Sequence, residues 1–245
     1  MSFEGISLKN LTLSYQRHPA VHHLTGTFAK GTMTAIMGPN GGGKSTLIKA
    51  LAGLHPIDEG SIVRTSALSL ADTAYLPQSL IWDRQFPVSV LDLVHQALLP
   101  ELGLLGRPTN EHKQRVDCAL EQVGLLERRH ECLGNLSLGQ FQRALFARVI
   151  VQNAQVILLD EPLTGLDEKS IDAFFTLMHT WKKQGKTLIV VLHDRHLALE
   201  HFQTTLILAR EAQAWGSSRD VLDPQFWSKT LLQSPRPEGE EECVL

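Results

Sequence analysis

The sequence has no long apolar run, and that absence excludes more than any other. Nowhere do its 245 residues approach the 18 or so apolar positions that a membrane-crossing helix needs. The strongest apolar stretches, around Val156–Leu159 and Leu188–Leu192, have the length of buried strands. Met1-Ser2-Phe3-Glu4 lacks the basic start and apolar centre of a secretory signal. Cysteine is scarce. Cys118, Cys132 and Cys243 have no close metal-ligand spacing and cannot all pair, so a reduced, cytosolic setting is expected. Cys243 stands third from the end, where a prenylation box needs it fourth. A basic excess is missing too: a net charge of −3 gives no support to a nucleic-acid surface, and no nucleic-acid partner is expected. The chain carries no internal repeats.

What is present begins with Gly38-Pro39-Asn40-Gly41-Gly42-Gly43-Lys44-Ser45-Thr46, a match to G-x-x-x-x-G-K-[S/T]. It follows the apolar run Met33–Met37, read as a buried strand, and opens a helix expected from Lys44 to Leu54. Glycines let main-chain N–H groups turn toward phosphate oxygens, a lysine supplies positive charge, and the adjoining hydroxyl is placed to ligate Mg²⁺. The helix N-terminus directs the positive end of its dipole at the same anion. The consecutive glycines Gly41, Gly42 and Gly43 exceed the minimum pattern and are expected to loosen the free loop slightly.

A second element is Val156-Ile157-Leu158-Leu159-Asp160-Glu161, an apolar strand ending in two acids. Alone, such a pair is an ordinary solvated turn. Beside a phosphate loop, strand alternation turns one acid toward a metal and the other toward an attacking water. A third is Leu136-Ser137-Leu138-Gly139-Gln140. Ser137 suits a helix N-cap; the functional alternative is a second anion-binding helix terminus, offered to another molecule's nucleotide.

Around these motifs the chain alternates strand and helix. Strands are expected within Ile6–Leu13 and at Ser61–Val63, Ala74–Leu76, Val156–Leu159, Thr187–Leu192 and Thr204–Leu208. Helices are expected at Val88–Leu99, around Val116–Val123, at about Leu138–Gln152 and from about Ile171 to Gly185, with a short one after Thr187–Leu192. This is an α/β pattern with parallel-type strands, interrupted by a mostly helical insert from about Asp83 to Asn153. The acidic end, Ser234–Leu245, is expected to be disordered. His18, His22 and His23 sit close together, but loop histidines of this kind are usually solvated, and none is assigned to a metal.

The order and spacing of the phosphate loop, Leu-Ser-x-Gly-Gln and the Asp160-Glu161 strand resemble the ATP-binding cassette ATPases of ABC transporters, from Tyr15 to about Trp227. The resemblance implies a phosphate-loop NTPase core of RecA-like type, an N-terminal antiparallel β subdomain and a helical subdomain at about 83–153. Residues 1–233 would form the nucleotide-binding domain and 234–245 its tail. It implies ATP and Mg²⁺ as ligands. Gly38, Pro39, Asn40, Gly41, Gly42, Gly43, Lys44, Ser45 and Thr46 would hold the phosphates, and Tyr15 would stack on adenine. Ser45, Gln78 and Asp160 would attend Mg²⁺, Asp160 through water. Ser137, Gly139 and Gln140 would close over a second copy's ATP, Asp167 would touch that copy, and Glu161, His193 and Lys44 would be catalytic.

The segments Phe86–Val94, Gly106-Arg107-Pro108 and Val191-Leu192-His193-Asp194 resemble the zinc/manganese importer branch; iron-chelate and vitamin B12 importer ATPases share part of them. That branch implies separate permease subunits, a periplasmic or extracellular solute-binding protein, and a peripheral place on the cytoplasmic face of the cell membrane. A soluble cassette ATPase acting on nucleic acid or ribosomes is the alternative; it usually brings two cassettes or a long coiled-coil insertion. One departure stands out. Leu138 occupies the position where the family's signature most often has glycine, which bears on the tightness of the phosphate clamp.

Overall fold

A computed structural model describes residues 4–15, 18–65, 68–78, 87–103 and 106–224. The expected start of the helical insert at Asp83, and the tail Ser234–Leu245, lie outside them.

The chain opens with two long strands, β1 (Gly5–Tyr15) and β2 (His18–Ala29). With β4 (Glu59–Arg64) they form a three-stranded antiparallel sheet in the order β2-β1-β4. Between them come β3 (Met33–Met37) and α1 (Lys44–Leu51). After β5 (Thr73–Leu76) a helical stretch follows: α2 (Val90–His95), α3 (Leu99–Leu102), α4 (Asn110–Gln122) and α5 (Leu138–Gln152). Alternation then resumes with β6 (Val156–Asp160), α6 (Glu168–Lys183), β7 (Thr187–Val191), α7 (Arg195–His201), β8 (Thr204–Ala209), β9 (Glu211–Ser217) and α8 (Ser218–Val221).

The second sheet runs β5-β6-β7-β3-β8-β9, parallel except for the antiparallel edge strand β9. Its central strands are buried on both faces, so they read as unbroken apolar runs, and their side chains divide by parity. Met33, Ala35, Met37, Ile157 and Leu159 join one core; Ile36, Val156 and Leu158 join the other. The helices α2, α4 and α5 contribute Leu93, Leu120 and Leu145 to the same core as the sheet's first face. The carboxyl ends of β3, β6 and β7 therefore open on one edge, where ligands of such sheets usually bind.

Several boundaries differ from expectation for local reasons. α1 stops at Leu51, because Gly53 adopts φ 72° and the Leu54 N–H bonds back to Lys49 O, a left-handed helix terminus. The helix expected at Val88–Leu99 is a capped α2 followed by a 3₁₀ turn and α3. β2 and β9 escape the periodicity altogether. β2 pairs with β1 through three register shifts that break its alternation, with Asn10 and His23 both at positive φ. β9 is a polar edge strand with few apolar positions.

Candidate nucleotide site

The phosphate loop leaves β3 at Gly38 and enters α1 through Gly43, the N-cap, at φ 88°. Two of its three consecutive glycines meet close main chain, while Gly41, at φ 73°, faces open space. A Cβ on Gly43 would lie 2.2 Å from Ala20 O, and one on Gly42 would lie 2.7 Å from Leu208 O. Main chain from both sheets presses on the loop, so only glycine fits. Arg210 completes the frame: its N–H donates to Gly42 O (3.0 Å) and its carbonyl accepts from His22 N–H (2.7 Å).

Lys44 is 5% exposed, and its ammonium donates to Gly38 O (2.9 Å) and Pro39 O (2.8 Å). Burial pushes its pKa below the ordinary lysine value, against the opposing pull of Glu161 and Asp160. Ser45 Oγ donates to Asp160 Oδ1 at 3.2 Å. Asp160, at 1% exposure, has its pKa raised by burial and by the charge of Glu161, while the Ser45 bond and the lysines Lys49 and Lys44 oppose the rise. A buried carboxylate held on a hydroxyl at a phosphate loop fits Mg²⁺, which takes one or two carboxylates and draws its remaining ligands from phosphate and water.

Glu161 follows directly, but pleating is not what separates the two acids, as expected from the sequence. Asp160 is the last strand residue, whereas Glu161 has left the strand at φ 50°, a strained conformation for a side chain of this kind. That turn carries its carboxylate to two partners: Gln78 Nε2 donates to Oε2 at 2.6 Å, and His193 Nε2 lies 2.6 Å from Oε1.

Tyr15, Asn40 to Thr46, Gln78, Glu161 and His193 line one open cavity of about 680 Å³. That volume is in the range of cofactor pockets. Tyr15 is 55% exposed at its rim. His18, Pro19, Ala20 and Arg210 line it too, and sequence reasoning missed all four. They arrive on the unrecognised strand β2 and the turn between β8 and β9, where no motif marks them.

Ser137, Gly139 and Gln140 are not among the residues lining this cavity. Ser137 caps α5 by accepting from Gln140 N–H at 3.2 Å, and Gln140 Oε1 accepts from Ser137 N–H at 2.9 Å. Gly139 has room to spare, since an added Cβ would meet nothing nearer than 3.9 Å. Asp167 caps α6 by accepting from Ser170 N–H at 2.8 Å, and hydrogen bonding from the Ser170 side chain, then from this N–H, lowers its pKa.

The family model described as ABC transporter matches residues 21–164. The chain belongs to the ABC transporter family. It is 37% identical over 247 residues to a zinc transport system ATP-binding protein of Treponema pallidum, covering 98% of this chain and 93% of that one. It is 36% identical over 220 residues to a manganese transport system ATP-binding protein of Listeria monocytogenes, covering 86% and 89%. Among solved structures, a metal-chelate type ABC transporter in an inward-facing conformation superposes with TM-score 0.82 at 28% identity, covering 94% of this chain and 89% of that one. The ABC chain described here is thus an ATP-binding subunit, and such subunits are ATPases coupled to transport. Among its described residues no helix is long and apolar enough to cross a membrane.

Proposed function

We propose that this chain hydrolyses ATP with Mg²⁺ to drive a divalent metal ion, zinc or manganese, through separate permease subunits. The observation that carries the reading is the convergence of Lys44, Ser45, Glu161 and His193 on one cavity, with the buried Asp160 accepting from Ser45 behind it. The zinc and manganese relatives, at 36–37% identity, support the cargo. The metal-chelate neighbour, at 28%, supports a chelate importer less strongly.

In this reading Lys44 leaves the Gly38 and Pro39 carbonyls to neutralise β/γ-phosphate charge. Ser45 and Asp160 hold Mg²⁺, Asp160 through water, with Gln78 nearby. The charge that Mg²⁺ would supply there offsets that of the phosphates. Glu161 orients and polarises the attacking water. Each of its oxygens has one partner and keeps acceptor capacity for a proton of that water. His193 then faces the transferring phosphoryl group. Catalysis here is positioning and electrostatics.

A second copy completes the pocket with its Ser137, Gly139 and Gln140, and Asp167 meets that copy. The room at Gly139 supports this, since nothing among the described residues lies close enough to require a glycine there. Residues 1–233 act as one nucleotide-binding unit with a helical insert at about 83–153, peripheral to the cytoplasmic face of the membrane. A solute-binding protein on the far side delivers cargo.

The test is uptake of zinc or manganese into vesicles holding the chain and its permease, with ATP inside or out. Uptake that needs ATP and is lost in Glu161→Gln supports the reading. Recovery of the chain with ribosomes, and no metal uptake, would sink it.

A further inference from the structure

The departure at Leu138 has a partner within the chain. Leu138 is 52% exposed, yet its side chain lies across Gly165. A Cβ on Gly165 would stand 2.2 Å from Leu138 Cδ2 and 2.9 Å from Cγ, and Gly165 itself is at φ 79°. The two residues fit only because one of them lacks a side chain. One turn further along α5, at the i+4 position on the same helix face, Gln142 is 9% exposed, and its Nε2 donates to Pro162 O at 2.9 Å. Leu138 and Gln142 thus grip the two ends of Pro162-Leu163-Thr164-Gly165. This segment begins directly after Glu161, and Thr164 N–H bonds back to Glu161 O at 3.4 Å.

We propose that Leu138 is a positioning residue that ties the first turn of α5 to the loop behind Glu161. The end of the chain that completes a neighbour's pocket thereby sets the geometry of the chain's own water-polarising carboxylate. The link to the neighbour rests on the two-copy reading above. The physical basis is short leverage. Any shift of the α5 N-terminus moves Gly165 and Pro162 together, and Glu161 already sits in a strained conformation with both oxygens held at 2.6 Å. A glycine at 138 would leave only the Gln142 tie, so the loop would follow the helix less closely.

A double-mutant cycle on the purified full chain tests this, with Leu138→Gly, Gly165→Ala and the pair, read as kcat, KM for ATP and equilibrium ATP affinity. Leu138→Gly is expected to lower kcat about fivefold, with ATP affinity nearly unchanged. Gly165→Ala should lower kcat further, because its methyl strikes Leu138. Adding Leu138→Gly to it should recover part of the activity, the part lost to the clash and not to the strain of alanine at φ 79°, giving an interaction of about fivefold. Leu138→Met should behave like the native chain, and Leu138→Ala like Leu138→Gly. Effects that simply multiply, or a Leu138→Gly change confined to KM, would overturn the grip. The two-copy reading is read apart from this by sizing Glu161→Gln with ATP. A chain that stays monomeric there would overturn the link to the neighbour, whatever the cycle gives.

Discussion

His193 Nε2 lies 2.6 Å from Glu161 Oε1, and this contact joins the end of β7 to the end of β6 across the mouth of the cavity. With Gln78 on the other oxygen, it holds a carboxylate whose backbone is already strained. The two partners also keep that carboxylate from drifting toward Asp160, whose own charge is buried.

Glu161→Gln removes the charge and keeps the shape, but it turns one acceptor oxygen into an NH2 donor, so one of the two contacts must reverse or break. Turnover is expected to fall by about 10²–10⁴-fold, the worth of a positioned general base. ATP affinity should be retained, and the protein should accumulate as an ATP-bound dimer by size-exclusion chromatography. His193→Ala should reduce kcat by about 10²–10³-fold, as for loss of one transition-state donor, with ATP affinity little changed by titration.

Asp160→Asn should separate stability from function. Its folded pKa is raised, so the ionised form is disfavoured on folding. For an acid with raised pKa, stability falls as pH rises through the window between the unfolded and folded values. The penalty grows through that window and is fully present above the folded value. Asparagine keeps an acceptor for Ser45 without the charge. The nucleotide-free variant is expected to melt higher, by about 2–4 °C for each 1 kcal/mol relieved in a chain of this size. Stabilisation by ATP with Mg²⁺ should be lost. Differential scanning fluorimetry at pH 7.5 reads both.

Lys44→Met removes an ammonium whose pKa is depressed by burial. For a base with lowered pKa, the penalty appears as pH falls below the ordinary lysine value and is complete below the folded one. At neutral pH the nucleotide-free variant should therefore be no less stable than the native chain. ATP binding should weaken by about 10–100-fold, the worth of charge-assisted hydrogen bonds. Calorimetric titration checks the affinity.

Tyr15→Ala should weaken ATP binding by roughly 1–3 kcal/mol, as for loss of one base-stacking aromatic. Tyr15→Phe should stay close to the native affinity. Inorganic triphosphate, which has no base, should bind both variants equally. A loss shared by triphosphate would show that Tyr15 acts on the loop and does not stack on a base.

Much of the sheet was legible because its central strands, buried on both faces, leave unbroken apolar runs such as Met33–Met37 and Val156–Leu159. Helices with their own stops were legible too: α4 before Gly124 and α6 before Gly185, both glycines at positive φ. β2 was not, since bulges place its buried Val21, Leu24 and Phe28 at i, i+3 and i+7, out of the two-residue alternation that marks a strand. The site was readable wherever its residues fall in one local motif. Arg210 and Ala20 were invisible because they act through main-chain atoms, and any residue type would leave the same trace in sequence. The left-handed turn at Glu161 was hidden more deeply, since Pro162 biases the residue before it toward extended backbone and the fold overrides that bias.

The clamp on the phosphate loop has a thermodynamic consequence. Gly42 is hydrogen-bonded by Arg210 on one side and crowded by Leu208 O, while Gly43 rests against Ala20 O. The loop's conformational entropy is surrendered when the domain folds, and little remains to be lost when a triphosphate arrives. Capture should then be fast and weakly dependent on temperature, with ordering left to the elements that move later.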